Sequence, residues 1–275
     1  MREAKKVEAG DAMQEFSLIS NETLLELYGG LLKCGVLRKG ANGANGARRE
    51  HATGWAFDAA AVAVAKDLTA EDLLIAEGGA AALHALRGAL ANNGRRSHAG
   101  EPAFAPALER AVGAALAHKT KKSGRVAVVF GGGDGGVWDE TLEIARAHGL
   151  PMIFVSDARE TEQRGKRKGR AHEPAELEPG TELPHIVVDG NDVVAAYRVA
   201  HEAIDRARRG RGPTLIECIA FRVAERRQQD CVASMEHYLR GKGLMRRGLK
   251  QELLETMARQ SKRGKPDRNG SVGQF

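Results

Sequence analysis

The sequence predicts an α/β protein with a mostly parallel sheet covered by helices on both faces, plus C-terminal helices. Short runs of β-branched residues alternate with segments of helical period over much of the chain. The stretch 125–157 consists of a strand-like run, a glycine-rich turn, an amphipathic segment and a second strand-like run. This order is typical of a right-handed βαβ unit in a parallel sheet. No apolar run approaches the ~20 residues that span a bilayer, so these runs are expected to form a buried core.

The part of the chain before this unit is predicted to be mainly helical. Residues 1–20 are expected to be a tail, and Asn21 is the predicted N-cap of the first helix because its side chain can accept from free backbone amides. Thr69 and Asp72 have the spacing of a capped helix start. The other predicted elements are a first helix from residue 21, a flexible glycine and asparagine loop at 40–50, helices at 55–66, 80–90 and 104–118, and a short strand at 73–75.

The central unit is predicted as a strand at 126–130, a helix at 137–148 and a strand at 152–156. Residues 159–182 are almost devoid of apolar side chains, so we expect an exposed, partly disordered loop there. The remaining predicted elements are a strand and turn at 185–190, a helix at 191–209, a strand at 214–219, helices at 230–240 and 249–259, and a disordered basic tail at 261–275.

The candidate binding site lies where the strands of the central unit end, because ligands of parallel sheets bind beyond the carboxyl ends of the strands. Two interpretations of the turn stay open. It is a phosphate cradle in which Asp134 binds a cation, or it is a glycine-rich turn that allows tight packing between strand and helix. The candidate cradle residues are Gly131, Gly132, Gly133, Asp134 and Gly135.

Asp157 follows the second strand of the unit and is a candidate metal ligand together with Asp134. The alternative is that Asp157 only begins the charged loop that follows it. The nine histidines are scattered without metal-ligand spacing, and the three cysteines have no CxxC spacing. Reduced thiols without a metal site are therefore expected.

Composition indicates which kinds of partner to expect, and the N-terminal residues indicate the cellular compartment. The formal charge is +6, but aromatic residues make up only 4% of the chain, so few side chains are available to stack on bases. We expect neither a nucleic-acid nor a membrane partner. The N-terminal residues 1–13 lack the apolar core of a signal peptide, which favours a cytoplasmic protein.

The order of segments resembles the alpha subunits of thiamine-diphosphate-dependent 2-oxo acid dehydrogenases, which include the pyruvate, branched-chain and acetoin enzymes. The central unit VAVVFGGGDGGVWDETLEIARAHGLPMIFVSD, residues 126–157, looks like the cofactor-binding unit of these subunits. The other similar segments are TLLELYGGLLK at 23–33, ALERAVGAALAHK at 107–119, VDGNDVVAAYRVAHEAIDRARRGRGPTLIECIAFRV at 188–223 and DCVASMEHYLRGKGL at 230–244.

The resemblance implies one domain with the thiamine-diphosphate-binding fold over residues 21–260. It implies thiamine diphosphate and magnesium as cofactors and a beta-type dehydrogenase subunit as partner. The implied reaction is oxidative decarboxylation of a 2-oxo acid with transfer to lipoyl groups, and the beta subunit supplies the carboxylate that activates the cofactor.

The sequence departs from the family pattern at the residues that carry this chemistry. Ungapped alignment puts Phe130 at the position of the family's magnesium-binding aspartate, and Asp157, Ala158 and Arg159 at its Glu-Asn-Asn. The family's Tyr-Arg-x-His stretch is replaced by AEGGAAALH at 76–84, and its His-Gly-His-Ser loop is missing after Val223. No catalytic residue can be carried over.

Two hypotheses follow from these departures. The chain is a divergent alpha-type subunit with impaired cofactor binding, or it is a non-catalytic paralogue that acts as a scaffold or regulatory subunit. Self-association is the alternative to a beta-type partner. Small-residue helices at 59–65 and 111–117 suit close packing at a subunit interface, and a plain core helix is the alternative.

Overall fold

The computed structural model describes residues 19–45, 58–77, 104–131, 136–157, 183–219 and 230–263. Within these ranges the chain forms five strands and seven helices. The strands are β1 (Leu73–Ala76), β2 (Ala127–Phe130), β3 (Met152–Asp157), β4 (His185–Asp189) and β5 (Thr214–Ile219). The helices are α1 (Asn21–Asn45), α2 (Asp58–Lys66), α3 (Phe104–Thr120), α4 (Gly136–Ala147), α5 (Val193–Arg208), α6 (Cys231–Gly241) and α7 (Leu249–Arg263).

The five strands form one parallel sheet in the order β1-β2-β3-β5-β4. The connection from β2 to β3 carries α4 and moves one strand along the sheet, whereas the connection from β4 to β5 carries α5 and moves one strand back. Crossovers of one hand that run in opposite directions must lie on opposite faces of the sheet. The helices are therefore divided between two faces, which confirms the predicted fold class.

The first face is covered by α3 and α4. Its core contains Ile75, Val129 and Phe154 from the strands, together with Trp138 from α4. Trp138 makes an edge-to-face contact with Phe154, with ring centroids 5.3 Å apart. The core on this face includes residues of β1, β2 and β3.

The second face is covered by α5, with α2 packed between α5 and α1. The alanines and valines of α2 are at most 3% exposed. The predicted small-residue helix at 59–65 is thus a core helix within this chain. The C-terminal helices α6 and α7 pack against α1, and Tyr28 of α1 donates to Glu236 of α6 over 3.0 Å.

The structure differs from the prediction at both ends of α1. Its N-cap is Ser20, whose Oγ accepts from the amide of Thr23 at 3.1 Å, while Asn21 is already helical. The helix continues to Asn45, so residues 40–45 of the predicted loop are helical. A growing helix adds one hydrogen bond per residue, which offsets the ~1 kcal/mol that each glycine costs.

Thr69 and Asp72 form a turn and not a helix start. The Asp72 carboxylate accepts from the Thr69 amide at 2.8 Å, and its other oxygen accepts from the amide of Val126 at 2.9 Å. Arg208 of α5 also donates to Asp72, over 2.8 Å. Because Asp72 ties the turn to the start of β2, the chain enters β1 at Leu73 in the extended conformation.

Three other predictions fall wholly or partly outside the described residues. The predicted helix at 80–90 and the predicted loop at 159–182 lie outside the described residues. Helix α7 runs to Arg263, three residues into the predicted basic tail. Among the described helices, none combines the length and the apolar character needed to cross a membrane.

Candidate functional site

The candidate site is the edge of the sheet at which all five strands end. Glu77 follows β1, Gly131 follows β2, and Asp157, Asp189 and Ile219 end β3, β4 and β5. Because every strand is parallel, these residues come to the same edge. This is the edge at which open α/β sheets bind ligands.

Gly131 is enclosed by side chains from two other segments. A Cβ atom added at Gly131 would lie 2.6 Å from Cζ of Phe104 and 3.1 Å from Oε2 of Glu77. The first distance is well inside van der Waals contact, so only glycine fits while Phe104 stays in place. The amide of Gly131 donates to the carbonyl of Val155 at 3.0 Å and extends the pairing of β2 with β3.

Phe104 is held in this position by an aromatic stack. It is the first residue of α3, and its ring lies 6.3 Å from the ring of Trp138 at an interplanar angle of 23°. Trp138 is 3% exposed and rests in turn on Phe154 of β3. The aromatic wall beside Gly131 is therefore built on the core of the first face.

Glu77 is fixed by its backbone. Its amide donates to the carbonyl of Phe130 at 2.8 Å and continues the pairing of β1 with β2 by one residue. This hydrogen bond places the Glu77 carboxylate directly against Gly131. A carboxylate therefore lies beside the first position of the glycine turn.

The end of β3 adds a buried carboxylate, and β5 adds a buried thiol beside it. Asp157 is 2% exposed and pairs in register with Cys218, which is fully buried. Burial raises the pKa of the Cys218 thiol, and the charges of Asp157, Asp189 and Glu217 raise it further. The thiol is therefore held in its neutral form.

A groove of about 300 Å³ opens beside the end of β4. It lies between the start of α5 and one side of α6, and its polar lining consists of Asp189, Asn191, Asp192, Ser234, His237 and Tyr238. Burial raises the pKa of Asp189 against a backbone hydrogen bond from Asn191, and the charge of Asp192 acts in the same direction as burial. Asp192 caps α5 by accepting from the amides of Val194 and Ala195.

The structure brings together only some of the residues that the sequence singled out. Gly131 and Asp157 lie at the carboxyl edge, on neighbouring strands. The other cradle residues, Gly132, Gly133, Asp134 and Gly135, lie outside the described residues, as do Ala158 and Arg159. Phe130, at the position of the family's metal ligand, is 1% exposed and packs in the core of the second face.

The described residues do not fit a magnesium diphosphate. The Gly131 amide is bonded within the sheet, the Phe130 side chain has no oxygen to offer a cation, and the Glu77 carboxylate opposes an anion. Among the described residues, no three histidine, cysteine, aspartate or glutamate side chains are grouped so that they could hold a metal ion.

Phe104 and Glu77 belong to this edge, although no sequence motif singles them out. Glu77 carried a usable signal, because it is a carboxylate two residues after the strand predicted at 73–75. Phe104 carried none, since its contact with Gly131 depends on how α3 returns to the sheet.

The chain is similar to known dehydrogenase subunits. Residues 45–236, about seven tenths of the chain, match the sequence profile of the family described as "Dehydrogenase E1 component". The alpha subunit of acetoin:2,6-dichlorophenolindophenol oxidoreductase from Bacillus subtilis (strain 168) is 36% identical over 122 residues, which are 41% of this chain and 35% of that protein. The alpha subunit of 2-oxoisovalerate dehydrogenase from the same organism is 30% identical over 171 residues, which are 54% of this chain and 52% of that protein.

The alpha subunit of the pyruvate dehydrogenase E1 component of Acholeplasma laidlawii is 33% identical over 126 residues, 44% of this chain and 36% of that protein. The chain thus spans about half or less of the length of these relatives. Among solved structures, benzoylformate decarboxylase from Polynucleobacter necessarius aligns with a TM-score of 0.34 and 14% identity, over 58% of this chain and 32% of that chain.

Proposed function

This chain belongs to the dehydrogenase E1 component family, and from that premise we propose that it is a divergent alpha-type subunit with weakened cofactor binding. Its partner is a beta-type subunit, and the reaction of the pair is oxidative decarboxylation of a 2-oxo acid with transfer to lipoyl groups. Its relatives are alpha subunits of acetoin, 2-oxoisovalerate and pyruvate enzymes, which supports this assignment.

One observation carries the proposal. Strand β2 ends at the carboxyl edge of a parallel sheet, where such folds bind ligands, and the chain continues through α4 into the neighbouring strand β3. Helix α4 begins at Gly136, and the dipole of a helix favours an anion at its N-terminus. In this arrangement the chain contributes the diphosphate side of a shared site.

Thiamine diphosphate, when bound, supplies the electron sink for decarboxylation. In an active pair of subunits, residues 132–135 of this chain and the partner subunit would hold the diphosphate end, because the described residues do not fit it. This is why we propose weakened binding.

A second candidate function is that of a non-catalytic paralogue, which uses the same fold as a scaffold or regulatory subunit. The burial of Phe130 favours it. A phenyl ring in the core cannot bind a metal ion, and no rotation of this side chain brings an oxygen ligand to the position. In this case the surface that binds a partner is retained and the cofactor site is lost.

Isothermal titration calorimetry of the full chain separates the two functions. Thiamine diphosphate with magnesium is titrated into the chain alone and into its mixture with a candidate beta subunit. Magnesium-dependent binding that Asp134→Ala abolishes, and that Glu140→Ala on the exposed side of α4 leaves unchanged, supports the catalytic subunit. Absence of binding by a folded chain that still co-sediments with the beta subunit supports the paralogue.

A further inference from the structure

We propose that Phe104 and Glu77 together close the first position of the glycine turn and set the low affinity of this edge for diphosphate. This inference rests on the proposed function and deepens it, because it names the residues that weaken cofactor binding. Neither residue belongs to the predicted cradle. One blocks the position by its volume and the other by its charge.

The steric part follows from the contacts of Gly131. Phosphate-binding turns use glycine so that a phosphate oxygen can approach the backbone closely. Here the space beside the Gly131 Cα is filled by the Phe104 ring, 2.6 Å from the Cβ position. Since Phe104 is stacked on the buried Trp138, the ring can leave only if this stack is broken.

The electrostatic part follows from Glu77. Its Oε2 lies 3.1 Å from the same Cβ position, so an anion placed over Gly131 would face a carboxylate. The hydrogen bond from the Glu77 amide to the Phe130 carbonyl keeps the residue at this edge. Like charges in a partly desolvated site disfavour each other strongly, and Asp157 on the next strand has the same sign.

The two parts act independently, which makes them separable by mutation. Phe104→Leu removes the ring and keeps most of the apolar volume, and Phe104→Ala removes more. Glu77→Gln keeps the shape of the side chain and removes its charge. The matched controls are Glu71→Gln, an exposed carboxylate in the turn before β1, and Leu116→Ala, an exposed apolar side chain of α3.

The experiment measures binding of inorganic pyrophosphate with magnesium to the full chain by calorimetry, at two salt concentrations. We expect Glu77→Gln and Phe104→Leu each to raise the affinity about tenfold or more, and the double variant to raise it further. The gain from Glu77→Gln should shrink at high salt because it is electrostatic. The controls should match the wild type. Far-UV circular dichroism establishes that each variant is folded.

Wild-type affinity equal to that of the Phe104 and Glu77 variants would overturn the inference while leaving the proposed function intact. Folded variants that all fail to bind pyrophosphate would also overturn it, since the pair would then not be what limits affinity. The proposed function fails separately, if thiamine diphosphate does not bind to the mixture of wild-type chain and beta subunit.

Discussion

At the scale of single residues, Gly131 shows why an identified motif does not by itself define a site. The sequence places this glycine correctly at the end of a strand, and both of its interpretations fit a strand-turn-helix context. What distinguishes them is the identity of its neighbours, Phe104 and Glu77, which are separated from it by 27 and 54 positions in the chain. Such contacts depend on tertiary packing, so the pattern around Gly131 could not reveal them.

Gly131→Ala is expected to destabilise the fold by about 1–3 kcal/mol, because the new methyl group would overlap the ring of Phe104. Phe104→Ala in the same chain should restore part of this loss, and the coupling is read from a double-mutant cycle of urea unfolding. Gly113→Ala is the matched control. It lies within α3 with no atom within 4 Å of its Cβ position, so it should stabilise the fold by up to ~1 kcal/mol. Additive effects of Gly131→Ala and Phe104→Ala would contradict the overlap.

At the scale of elements, apolar patterns predicted the strands of the sheet well and the helix ends less well. Strand β5 has the predicted bounds, and β2 and β3 differ from theirs by one residue, because a buried parallel strand is a short, continuous apolar run. The predicted end of α1 was wrong. Glycine and asparagine are poor helix formers and favoured a loop from residue 40, yet the helix continues through them to Asn45. The helix start predicted at Thr69 was wrong. The Asp72 carboxylate accepts hydrogen bonds from the residue before β2 and from α5, and sequence spacing cannot show these contacts.

The junction of α1, α6 and α7 depends on one carboxylate, that of Glu236. It accepts hydrogen bonds from Tyr28 at 3.0 Å and Lys250 at 2.9 Å, and from Arg240 at 3.1 Å. Burial acts to raise the pKa of Glu236, but the hydrogen bonds from Lys250 and Tyr28 and the charges of Lys250 and Arg240 outweigh it, so its pKa lies below the ordinary value. A carboxyl whose pKa is lowered by folding stabilises the folded state above its unfolded pKa.

Glu236→Gln is therefore expected to lower the free energy of unfolding by about 1–3 kcal/mol at pH 7. This difference from the wild type should stay constant down to the ordinary glutamate pKa of 4.5 and shrink below it, as the wild-type carboxyl takes up its proton. Urea unfolding at pH 7, 5.5 and 3.5 measures it. The control is Glu255→Gln, whose pair with Arg259 is exposed and should contribute little at any pH. A difference that stays the same at pH 3.5 would rule out the carboxylate as its source.

At the scale of the whole molecule, two apolar clusters share a single sheet. Alternate residues of β2 point to opposite faces, so Val128 belongs to the core under α5 and Val129 to the core under α4. Neither layer of helices can lose its packing without exposing the other side of the same strands. The two faces should therefore unfold together.

Ile204→Ala tests this cooperativity. Ile204 is 1% exposed on α5, so its truncation should cost about 2–5 kcal/mol. Trp138 reports from the opposite face, and replacing the other tryptophan, Trp55, by phenylalanine makes Trp138 the sole tryptophan, which is excited selectively at wavelengths that tyrosine does not absorb. Fluorescence and far-UV circular dichroism should then show the same shift in the urea midpoint. A shift seen by circular dichroism alone would mean that the faces unfold separately.

The position of β5 between β3 and β4 also has a consequence for biosynthesis. β4 pairs with β5 and with no other described strand, so it has no partner in the sheet when it leaves the ribosome. At ~5–20 residues per second, the ~30 residues between Asp189 and Ile219 take roughly 2–6 s to be added. During that interval the apolar run Ile186, Val187 and Val188 is exposed on a nascent chain whose sheet cannot yet close. Translation speed over this one segment thus sets how long the protein is vulnerable to misassembly.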